Sequence, residues 1–143
     1  MSDSNNSPKS SKSSFRVLCI GYDEMLSYTH RIILERDGFE VILALRFNDA
    51  VRACAENNFG VAILGHAIPI SEKKELLSKL KAGSQALVIL ISNGDEQLLE
   101  PVDFVLESLI PPNSLLHTVR RAAQQHLLNQ ASEQYRDSTL PQF

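Results

Sequence analysis

Gly60–Pro69 reads GVAILGHAIP. Four aliphatic residues, Val61 to Leu64, stand between two glycines, and Pro69 follows as a turn signal. A run this short with no polar member predicts a strand covered on both faces, not one side of a helix. The strand stops at Gly65. Glycine carries no nucleophile, metal ligand or proton-transfer group, so the end of this strand offers none of these.

Outward from this stretch, strand-like runs alternate with helical patterns. FRVLCIG, Phe15–Gly21, predicts the first strand. A helix over about Glu24–Asp37 follows, with Tyr28, Ile32 and Ile33 on its apolar face and Gly38 as its C-terminal stop. EVILAL, Glu40–Leu45, predicts the second strand. A second helix over about Asn48–Asn57 turns Ala50, Val51, Ala53 and Cys54 inward. After the Val61–Leu64 strand, Ser71 is the expected cap of a helix with Leu76, Leu77 and Leu80 as its stripe. ALVILIS, Ala86–Ser92, and DFVL, Asp103–Leu106, predict the last two strands. Pro112 opens the final helix, where its missing N–H costs nothing. Leu115, Leu116, Val119, Ala122 and Leu127 are expected to face the sheet.

Five such β–α units with nearly continuous aliphatic strands define an α/β protein with a parallel sheet between two helical layers. The strand order 2-1-3-4-5 of flavodoxin-like folds suits this length, and such sheets bind ligands at the carboxyl ends of their strands. Those ends carry Gly21, Tyr22 and Asp23, then Gly65 and His66, then Ser92.

The chain has 143 residues, enough for one domain with tails. The domain is expected over 15–130, with a disordered Ser/Asn-rich tail at 1–14 and a flexible tail at 131–143. Hydrophobic residues make up 43%, but the longest apolar run, Ala86–Ile91, is far too short to span a bilayer. A net charge of −3 shows no basic excess, which argues against nucleic acid as a partner. Cys19 and Cys54 each lie in an apolar setting, so free buried thiols and a reducing cytoplasm are expected. No cysteine–histidine cluster suggests a metal, and no cofactor is implied.

On these residues the chain resembles the receiver domain of bacterial two-component response regulators over about Phe15–Leu128. VLCIGYDEMLSYTHRIILERDGFEV is similar to that family's first strand, first helix and second strand, with Gly38-Phe39 in the usual place. FNDAVRACAENNFGVAILGHAIP resembles its second helix and third strand, with Pro69 as the proline after the phosphorylation loop. DFVLESLIPPNSLLHTVRRA resembles its fifth strand and last helix.

The resemblance implies five reactive groups, and most are missing. Two adjacent acids that would hold magnesium fall at Gly21 and Tyr22. The phosphate-accepting aspartate falls at Gly65, and the lysine after strand five falls at Ser108 with Leu109 in place of the following proline. Only the hydroxyl at Ser92 fits. Phosphoryl transfer depends on positioning and charge neutralisation, and the groups for both are absent. The resemblance therefore implies a pseudo-receiver that assigns no catalytic residue and acts by binding protein. A signalling kinase, an output protein or a second copy are the expected kinds of partner.

Two alternatives stay open: an atypical phosphoacceptor at His66, or a small-ligand sensor using the vacated pocket. Plainer roles compete at each position. His66 reads as a loop residue bonded to backbone, Asp23 and Glu24 as acids favouring a helix N-terminus, and Ser92 as a cap. Tyr22 is expected to lay its ring over the site, in space left by Gly65, with its hydroxyl near Ser92 or His66. The short stretch Asn93–Pro101 allows only a shortened fourth helix, which would leave the last strand and helix partly uncovered.

Overall fold

The computed structural model describes residues 15–92, 101–108 and 111–139. Its strands are β1 (Arg16–Ile20), β2 (Glu40–Ala44), β3 (Val61–Leu64), β4 (Leu87–Ser92) and β5 (Phe104–Glu107). Its helices are α1 (Glu24–Arg36), α2 (Phe47–Glu56), α3 (Ile70–Gly83) and α4 (Pro112–Thr139). The strands form one parallel sheet in the order β2-β1-β3-β4-β5. This is the flavodoxin-like, three-layer α/β architecture expected. The expected short helix between β4 and β5 lies outside the described residues.

The alternation of each strand sorts its side chains into two cores. Leu18, Ile20, Ala62, Leu64, Val88 and Leu90 join Ala50, Cys54, Leu76, Leu77 and Leu80 under α2 and α3. Val17, Cys19, Val61, Ile63, Ile89 and Ile91 join Leu34, Leu115, Val119 and Ala122 under α1 and α4. Both cysteines are free and buried, one in each core.

Helix ends follow local chemistry. Asp23 caps α1 by accepting the Leu26 N–H at 3.2 Å. At the other end, Gly38 takes φ +97°. Its N–H donates to the Glu35 carbonyl and that of Phe39 to the Leu34 carbonyl, so the chain leaves the helix by a Schellman turn. α3 begins before the expected Ser71 cap. Pro69 is extended, with ψ 147°, and its carbonyl accepts the Lys73 N–H at 2.8 Å. No side chain caps that end.

Two expectations about helix faces need correction. Tyr28 and Ile32 point outward, 40% and 49% exposed, while Ser27 and Leu34 form the buried side of α1. Leu127 is 54% exposed, and His126 takes the inward position in its place. The Phe15 ring sits 6.1 Å from Phe39 and 5.7 Å from His126, edge-on to both. Regular helix continues past residue 130, into the segment where a tail was expected, as far as Thr139. No glycine or proline interrupts the sequence there, and Ala131, Glu133, Gln134 and Arg136 are good helix formers. Arg120 on α4 is bonded to Asp37 at the end of α1, with Nε 2.8 Å from Oδ2. Among the described residues, no helix is long and apolar enough to cross a membrane.

Candidate functional site

The carboxyl ends of β1 and β3 meet where Gly65 donates its N–H to the Ile20 carbonyl at 2.8 Å. On the other side of β1, Gly21 donates to the Ala44 carbonyl at 3.1 Å. The strand tips thus pair one residue beyond the sheet. A Cβ placed on Gly65 would lie 3.2 Å from the Ile20 carbonyl oxygen and 3.3 Å from Gly21 Cα. Both neighbours are backbone, so a side chain there would have to push the strand tips slightly apart. The space beside Gly65, expected to take the Tyr22 ring, is narrowed by main chain.

Gly21 is held as tightly. The Ser27 hydroxyl donates to the Gly21 carbonyl at 3.2 Å, and a Cβ on Gly21 would run into that hydroxyl oxygen. Ser27 lies one turn into α1 and is buried, so the first turn of the helix is latched to the tip of β1.

Tyr22 sends its hydroxyl to α3 rather than to Ser92 or His66. Its ring packs against the α2–α3 core, and its hydroxyl donates to Glu72 Oε1 at 2.6 Å. Burial, with the Glu72 carboxylate second, raises its pKa well above the usual phenol range. This contact ties the loop after β1 to the first turn of α3.

Gly21, Tyr22, Asp23, Gly65 and His66 line one cavity of about 10 Å³, space for about one water molecule. Ser92 and Ser108 do not line it. They meet across the β4–β5 boundary, where the Ser108 N–H donates to the Ser92 carbonyl at 3.0 Å. Strand β5 ends at Glu107, which is in register with Ser92. The last residue of that strand is therefore an exposed acid, where the resemblance implies a cation near the strand's end.

His30 was not anticipated. It joins the cavity lining from α1, partly buried between Asp23 and His66. Burial holds its imidazole below the usual pKa; Asp23 opposes that shift and His66 adds to it. Its sequence signal is the spacing Ser27–His30–Leu34, one face of a helix that carries Met25, Tyr28 and Ile32 on the opposite side. Among the described residues, no group of three or more His, Cys, Asp or Glu side chains could hold a metal ion. Two glycines and a tyrosine at the strand tips supply no side-chain carboxylate of the kind that would hold magnesium.

No protein-family model and no curated protein matches the chain. Solved structures do match its fold. A CheY-like response regulator receiver domain protein from Methanospirillum hungatei aligns with a TM-score of 0.67 at 19% identity, over 82% of this chain and 99% of its own. A two-component response regulator from Clostridium difficile gives 0.69 at 16%, over 78% and 97%. A structure of adenylate cyclase from Rhodopirellula baltica gives 0.71 at 17%, over 86% and 97%. The chain has the receiver-domain fold of response regulators, and at these identities the likeness speaks for fold alone.

Proposed function

We propose that this chain is a signalling module of the two-component type that works through protein contacts and takes up no phosphoryl group. The observation that carries this reading is the packing of Gly65. The tip of the central strand lacks a carboxylate, and a Cβ there would stand 3.2 Å from the Ile20 carbonyl oxygen, close enough that the two strand tips would have to part slightly. The surroundings agree with that. The adjacent tip bears Gly21 and Tyr22, the tyrosine is engaged by Glu72, and β5 ends on an acid. A negatively charged phosphoryl group would find no compensating cation from β5.

A cavity of about 10 Å³ also leaves no room for a metabolite at this place. Output then rests on surfaces, toward a kinase, an output protein or a further copy of the chain.

The test is incubation with acetyl phosphate or phosphoramidate and magnesium, followed by intact mass under neutral conditions that preserve acyl phosphates and phosphohistidine. The expected spectrum shows the unmodified chain alone. An adduct of one phosphoryl group overturns the reading, and its mapping to His66 would establish the histidine acceptor instead.

A further inference from the structure

The end of the sheet opposite the strand tips holds a trough to which the signalling reading gives no role. Two clefts of about 590 and 360 Å³ make it, and Phe59, His126 and Gln130 line both. One wall is α4, which runs on past the sheet at this end with its later side chains exposed. The other wall is built from residues 57–60, before β3, and residues 81–85, at the end of α3 and before β4.

His126 sits where the two clefts meet. It is a polar side chain only 8% exposed. Phe15 meets its ring edge-on at 5.7 Å, and its Cδ2–Nε2 edge is the part nearest Gly60. Among the described residues, no hydrogen bond engages either ring nitrogen. A neutral imidazole has one N–H to donate and one lone pair to accept with. Native structures seldom leave such groups unmet under cover.

The rest of the lining says what would meet them. Asn57, Gln85 and Gln130 are exposed amides, each with donors and an acceptor. Both α2 and α3 end here, so carbonyls with no partner inside their own helix stand at the rim. Phe15 and Phe59 add half-buried aromatic surface. Two cations border the trough, and both are already opposed. Arg16 lies 3.3 Å from Glu40 and also bonds Asn58. Lys81 lies 3.7 Å from Asp103. The lining leaves no net charge for an ion to answer, and the negative ends of two helices disfavour an anion.

We propose that this trough binds a small uncharged polyhydroxylated molecule, a sugar or a cyclic polyol. Its hydroxyls donate and accept at once, as do His126 and the amides that would hold them, and the C–H face of its ring suits Phe59. Such a ligand ties α4 to the segments before β3 and β4, at the far end of the sheet from the strand tips. The site stands independently of the preceding functional reading, and a phosphoryl adduct at the tips would leave it intact.

Amide NMR of the full chain, titrated separately with glucose, galactose, trehalose and myo-inositol, tests this. At least one probe is expected to shift Gly60, Gln85 and Gln130 together and to saturate. His126→Phe keeps a ring beside Phe15 and removes both nitrogens; it weakens that probe at least about tenfold. Gln130→Ala, at an exposed position that the fold does not need, weakens it at least about threefold. Gln124→Ala, on the outer side of α4, leaves it unchanged, and glucose 6-phosphate binds no more tightly than glucose. The proposal is overturned when none of the four probes saturates, when the shifts map to the strand tips, or when affinity survives Gln130→Ala. Loss of affinity with Gln124→Ala also overturns it. Tighter binding of the phosphorylated sugar overturns the uncharged class of ligand.

Discussion

Gly65 and Gly21 are tied to each other through the backbone between them. The tips of β3 and β1 approach so closely that a side chain on either glycine meets the carbonyl, the Cα or the Ser27 hydroxyl of its neighbour. Gly65→Ala is expected to destabilise the chain by about 1–3 kcal/mol, the usual cost of overpacking, read as a lower urea midpoint. Gly65→Asp is expected to cost at least as much and still yield no adduct with acetyl phosphate, because the carboxylate alone brings neither metal nor cation. A working acceptor site would thus need several substitutions together.

His30 makes the second prediction at this scale. Its folded pKa lies below the unfolded value of about 6.5, so the unfolded chain takes up the proton first as the solution is acidified. Its contribution to stability is complete above that value and is lost as pH falls through the lower, folded one. Urea midpoints measured from neutral to mildly acidic pH should fall over this window, and His30→Gln should flatten that part of the profile. Asp37 behaves in the parallel carboxylate range. Its hydrogen bond to Arg120 lowers its pKa, so what that exposed pair adds is lost only in stronger acid.

Among the elements, strands were the most legible. Val61–Leu64 matches β3 residue for residue, because a short aliphatic run between glycines admits little else. The faces of the helices were less legible. In α1 the more conspicuous apolar residues lie outside, and the inner side carries a serine and a histidine that hydropathy alone would place in water. Position 126 shows the same effect, since a buried histidine stands where leucine was expected. The Phe15–His126 contact joins residues far apart in the sequence, and no local pattern announces it or the Ser27–Gly21 bond.

Gly60 offers an element-scale test. It joins the turn before β3 to the start of β1 and the far half of α4, and a Cβ there would approach Phe15 Cζ to 2.5 Å and His126 Cδ2 to 2.8 Å. Gly60→Ala is expected to lower stability by about 1–3 kcal/mol, and combining it with Phe15→Leu should recover part of that loss in a double-mutant cycle. Beyond His126, the described side chains of α4 from Leu127 to Glu133 are exposed. A chain ending at Gln130 should therefore keep its urea midpoint, with a change within about 0.5 kcal/mol.

At the level of the whole molecule, the architecture could be read from the sequence because parallel α/β sheets leave a strong imprint: buried strands, helices between them and stops at glycine. Which residues stand at the strand tips could also be read, since that concerns residue identity. The closure of the strand tips could not, because it depends on backbone spacing across β1 and β3. The same limit applied to Tyr22, whose partner Glu72 lies 50 positions away.

The two sulfhydryls divide this architecture between them. Cys19 belongs to the layer under α1 and α4, Cys54 to the layer under α2 and α3. Burial pushes the Cys19 thiol up to about 12 and raises that of Cys54 as well, so neither is a ready nucleophile in the native state. Alkylation by iodoacetamide should then await opening of the surrounding layer, and peptide mapping would time each layer separately. Equal rates at both sulfurs would mean that the two halves come apart as one unit; faster capture of one would identify the half that breathes first.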